Sequence, residues 1–86
     1  MKLTKQEALQ REFYFKLTDI DNGDTICRSD DLNDIKKAAY SYDDECDGEW
    51  QPRCVKYEVR EFDGKAKGFA VAEFNPFTKK LLFKYN

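Results

Sequence analysis

Between Cys54 and Tyr85 the chain alternates apolar and polar residues three times, and turn formers separate the alternations. Cys54 to Phe62 places Val55, Tyr57 and Val59 on one face, after which Asp63-Gly64 turns the chain. Phe69 to Phe74 follows, then Asn75-Pro76-Phe77-Thr78, then Leu81 to Tyr85 with Leu81, Phe83 and Tyr85 on one face. A period of two is a strand signal, and connections this short join antiparallel neighbours. The second half of the chain is therefore expected to be an antiparallel meander.

The first half reads differently. Thr4 followed by Glu7 forms a capping box, in which each side chain satisfies the other's backbone N–H. A short helix is expected from there to about Arg11 or Glu12. Phe13 to Ile20 alternates through Phe13, Phe15 and Leu17, the pattern of a strand. Asn22-Gly23 favours a type I′ hairpin turn, with Thr25 to Arg28 as the return strand. Ser29 is expected to cap a second helix whose apolar stripe is Leu32, Ile35, Ala39 and Tyr42, ending near Tyr42. Tyr42 to Pro52 then reads as an acidic loop. An antiparallel sheet of four to five strands with a helix packed on one face buries this pattern, in the order α-β-β-α-β-β-β. The expected fold class is α+β, in one domain spanning residues 1–86.

At 86 residues the chain buries roughly 60–65% of its unfolded surface, and an aromatic content of 15% enlarges the core. No run approaches the roughly 18 apolar residues of a membrane span, and no apolar stretch follows the first lysines as in a signal peptide. Cytoplasmic residence is the expectation. Cys27, Cys46 and Cys54 are odd in number, lack CxxC spacing and have no His to join them. Reduced thiols are expected, with a Cys46–Cys54 disulfide as the exception.

Charge is strongly segregated. Residues 17–49 carry eleven acidic and three basic side chains, a local charge of −8 within an overall −2. The flanking segments are mildly basic, +2 before and +4 after. Segregation of this kind suits an electrostatic surface aimed at a cationic partner.

Catalysis is poorly served. The absence of His removes Ser–His and Cys–His pairs, and four single glycines make no phosphate loop. No enzyme activity and no cofactor are expected. Calcium fits no better: from Asp19 the glycine falls one position early for an EF-hand loop. From Asp43 the twelfth position is Cys54. No metal site is expected, and a calcium-binding module is the weakest alternative.

Helix capping accounts for Asp30, Asp31 and Asp34, and turn chemistry for Asp21 and Asp24. Asp43, Asp44, Glu45, Asp47 and Glu49, followed by Trp50, have no such local reason. They define the candidate partner-binding site, with Trp50 as aromatic anchor and Asp30 and Asp34 as neighbours. Lys56, Arg60, Lys65, Lys67, Lys79, Lys80 and Lys84 lie on or between the meander strands. They read as solvated edge protection, without direct nucleic-acid binding.

The expected function is a non-catalytic inhibitor or adaptor that docks an acidic patch on a basic surface of a nucleic-acid-handling protein. In size and charge alone the chain resembles phage-type anti-restriction and anti-CRISPR nucleic-acid mimics. The alternative is a homodimer or larger homo-oligomer built through the edge of the strand Leu81 to Tyr85.

Overall fold

The computed structural model describes residues 2–85. Among them lie two helices and five strands: α1 (Lys5–Leu9), β1 (Phe13–Asp19), β2 (Asp24–Ser29), α2 (Leu32–Glu45), β3 (Pro52–Phe62), β4 (Lys65–Phe74) and β5 (Leu81–Lys84). The strands form one antiparallel sheet in the order β2-β1-β3-β4-β5. The α+β class and the order α-β-β-α-β-β-β are as the sequence implies.

The sheet is faced on both sides, unequally. Leu17 pairs across to Cys27 on β2 and to Cys54 on β3, so these three side chains share a face. With Phe15 and Trp50 they form the main core, against Ile35 and Ala39 of α2. On the opposite face Tyr14 lies across from Tyr57, their rings stacked at 5.1 Å. There α1 closes a second, smaller core of Leu3, Ala8 and Tyr14. The capping box forms as its spacing requires: Glu7 N–H donates to Thr4 Oγ1 at 3.2 Å, and Thr4 N–H to Glu7 Oε1 at 3.3 Å.

Several local expectations are corrected. Asn22-Gly23 does not form a type I′ turn, which needs positive φ at both central residues. Gly23 alone has it, at 75°, inside a four-residue loop closed by Gly23 N–H to the Asp19 carbonyl. Ser29 does not cap α2. It remains in β2, opposite Phe15, and Asp31 takes the cap, its carboxylate accepting from Asn33 N–H at 2.9 Å. Ser29 is instead fully buried. Its hydroxyl donates to Asp34 Oδ2 at 2.8 Å and accepts from Asp31 N–H at 3.1 Å, tying the strand end to the helix start.

The expected end of α2 is corrected too. The helix passes Tyr42 and continues through Asp43, Asp44 and Glu45 before Cys46 caps it. The stop comes from Asp47 and Gly48, both in the left-handed region at φ 52° and 75°. Glycine reaches that conformation without a Cβ clash, which is why it so often ends helices. The strand β4 starts four residues earlier than its apolar pattern suggests. Asp63 and Gly64, at φ 55° and 77°, make a genuine type I′ turn and zip Phe62 to Lys65.

That extension shapes the molecule. β1 pairs with β3 only up to Glu58, and β5 with β4 only from Ala72 onward. Between Val59 and Gly68 the β3–β4 hairpin has no third strand beside it. It projects from the body as a two-stranded arm, in a molecule 43 Å long and 25 Å by 23 Å across.

Candidate functional site

The carboxylates expected to form one patch divide between the two ends of α2. At its start, Asp30 lies 3.8 Å from Arg11, and Asp34 accepts from the buried Ser29 hydroxyl. Asp34 precedes Asp43 by nine residues, about 14 Å along the helix, and Asp30 lies further back, so these two stand apart from Asp43. They do not join the candidate site.

At the helix's other end the picture is different again. Trp50 is not an exposed anchor. It is 8% exposed and packs edge-on against Tyr42 at 4.7 Å and Phe77 at 6.2 Å between ring centres. Its indole Nε1–H donates to Asp43 Oδ1 at 2.9 Å. A buried indole needs such an acceptor, so Asp43 acquires the structural reason that the sequence does not reveal. Two of the proposed binding residues are therefore part of the framework.

Asp44, Glu45, Asp47 and Glu49 remain exposed, and the β1–β2 loop lies beside them. Ile20 N–H donates to the Gln51 carbonyl at 2.9 Å, and the Tyr42 hydroxyl donates to buried Asp19 at 2.9 Å. These contacts bring exposed Asp21 and Asp24 to the same end of the molecule. Six exposed carboxylates thus gather there, without a lysine or arginine in either loop. Asp24, Asp34 and Glu45 also line a groove of about 630 Å³ between α2 and β2, floored by Cys27 and Ala38 and shared with Lys2 and Lys37. The pairing of hairpin loop and helix end is what the sequence leaves unread, because it depends on where β1 stops against the loop before β3.

The electrostatics of this end run against stability. The last turn of α2 holds acids and no base. Unsatisfied carbonyls give a helix C-terminus partial negative charge, which favours cations by about 0.3–1 kcal/mol each. Among the described residues no ion pair involves Asp44, Glu45, Asp47 or Glu49. Replacing Asp44 and Glu45 with lysine is accordingly expected to stabilise the fold, by about 0.5–2 kcal/mol. Urea denaturation at low salt measures the gain, which should shrink as salt is raised.

The three cysteines are free, with no Cys46–Cys54 disulfide. Burial pushes the Cys54 thiol up to about 12 and raises Cys27, so both stay protonated and poor nucleophiles. Among the described residues no three of His, Cys, Asp and Glu converge as metal ligands, and no helix is long and apolar enough to cross a membrane.

No known family model matches this chain, and neither characterised proteins nor solved structures supply a relative in sequence or fold.

Proposed function

We propose that the protein is a non-catalytic inhibitor or adaptor whose acidic end docks on a basic protein surface of the kind that handles nucleic acid. One observation carries this reading. The exposed carboxylates of the α2 terminus and the β1–β2 loop share one end, although helix polarity and mutual repulsion disfavour them there. A cationic partner relieves both costs. The docking residues are Asp44, Glu45, Asp47 and Glu49, with Asp21 and Asp24 beside them, and residence in the cytoplasm accompanies the reading.

The test is capture from a nuclease-treated, nucleic-acid-rich cell extract on immobilised protein. Wild type is compared with a variant carrying Asp44→Asn, Glu45→Gln, Asp47→Asn and Glu49→Gln. A second variant, Glu61→Gln with Asp63→Asn, removes two charges from the far arm as a control. Wild type and control should retain the same proteins at 50 mM salt and lose most of them by 200 mM. The fourfold variant should retain at least tenfold less. Equal capture by all three would sink the proposal.

A second reading has its own observation. Strand β5 forms a sheet edge, and Leu81, Leu82 and Phe83 on it are all exposed. An open edge of this kind supports homo-oligomerisation through strand pairing. Self-association measured by light scattering should then be nearly indifferent to salt, which separates it from docking by the acidic end.

A further inference from the structure

The projecting arm has two unlike faces. Residues paired across an antiparallel ladder share a face, and the register puts Glu58 opposite Phe69, Arg60 opposite Lys67 and Phe62 opposite Lys65. One side of the arm therefore carries Arg60, Lys65 and Lys67 around Phe62 and Phe69. Lys56 continues it toward the body, where its ammonium sits 4.6 Å above the Phe13 ring. Glu58 is the single carboxylate on that side, and it is paired with Arg60 at 2.7 Å. Glu61, opposite Ala66, belongs to the reverse face.

The cations and rings are interleaved. Lys67 Nζ lies 4.9 Å from the centre of Phe62, and the Arg60 guanidinium 5.6 Å from that of Phe69. The two rings meet edge to face at 6.3 Å. Phe62 is 55% exposed at the free end of a hairpin, where it contributes to neither core. From Lys56 to Phe62 the platform extends about 20 Å along β3.

We infer that this face of the arm binds single-stranded nucleic acid, with bases stacking on Phe62 and Phe69 and phosphates meeting Lys56, Arg60, Lys65 and Lys67. The chemistry selects the ligand. Aromatic faces take unpaired bases irrespective of sequence, and the flanking cations complement a phosphate backbone. A duplex keeps its bases stacked on one another and so cannot use the rings. This inference does not rest on the acidic-end reading, because the residues concerned lie at the opposite end of the sheet.

Fluorescence anisotropy with a labelled 12-nucleotide oligothymidine tests it on the whole chain. Binding should weaken on the order of 50-fold between 50 and 200 mM salt if each of the four cations contacts a phosphate. Phe62→Ala should lower affinity on the order of 10-fold, and Phe62→Tyr, which keeps the stacking ring, should retain it. Lys65→Gln with Lys67→Gln should flatten the logarithmic salt slope by about 1.4. A 12-base-pair duplex should bind at least tenfold more weakly than the single strand. Absence of binding at 50 mM salt, equal affinity in Phe62→Ala, or preference for the duplex would each overturn the inference. Nuclease treatment in the capture experiment removes this contact, so the two proposals fail separately.

Discussion

Trp50→Ala is expected to remove about 3–5 kcal/mol of stability, the usual cost of emptying a large aromatic site in a core. A domain of this length holds about 4–13 kcal/mol in all, so the variant should give up a quarter or more of that margin. Two losses combine. Contacts with Tyr42 and Phe77 disappear, and the Asp43 carboxylate loses its indole donor. Trp50→Phe divides them: it keeps most of the ring packing but leaves half-buried Asp43 without that partner, at about 1–3 kcal/mol. Asp43→Asn should cost less, because its amide oxygen still accepts from the indole. Urea denaturation followed by circular dichroism measures all three, the chain's one tryptophan being the residue replaced. Were Trp50 a docking anchor, alanine there would leave stability unchanged and weaken partner capture instead.

The same pair of residues explains what the sequence could and could not disclose. Asp63-Gly64 is legible because the pair takes the two positive φ angles of a type I′ turn, a signal that Asn22-Gly23 also carries but does not realise. The capping box at Thr4 and Glu7 is legible from its spacing. The end of α2 is not. Asp43, Asp44 and Glu45 disfavour a helix C-terminus, yet Tyr42 reaches Asp19 and Asp43 reaches Trp50, and these distant partners hold the last turn in place. One local signal was present: Gly48, three residues beyond the last helical residue, marks where the chain can leave the helix.

The candidate site was legible in part for a related reason. Composition shows that Asp43 to Glu49 are too many carboxylates for one loop, and four of them stay exposed at the acidic end. It does not show that the Asp21–Asp24 loop joins them while Asp30 and Asp34 do not, since that follows from the β1–β3 register. Nor does it show the arm. Lys65, Ala66, Lys67 and Gly68 are weak strand formers, and they extend only because the turn aligns them with Phe62, Glu61, Arg60 and Val59. A strand imposed by its neighbour leaves no period of its own in the sequence.

Leu17→Ala should cost about 2–5 kcal/mol, since Leu17 is fully buried between Cys27 and Cys54 with α2 above it. The interior strand β1 joins β2 to the rest of the sheet, and its end at Asp19 anchors Tyr42. Loosening it should therefore disperse the acidic end together with the core. Phe62→Ala is the opposing case. Its ring is exposed at the tip of the arm, so the unfolding free energy from urea denaturation should change by no more than about 0.5 kcal/mol. Measured together, the two variants separate framework from surface: stability is lost at Leu17, and any loss of oligonucleotide binding at Phe62 then reports on contact rather than folding.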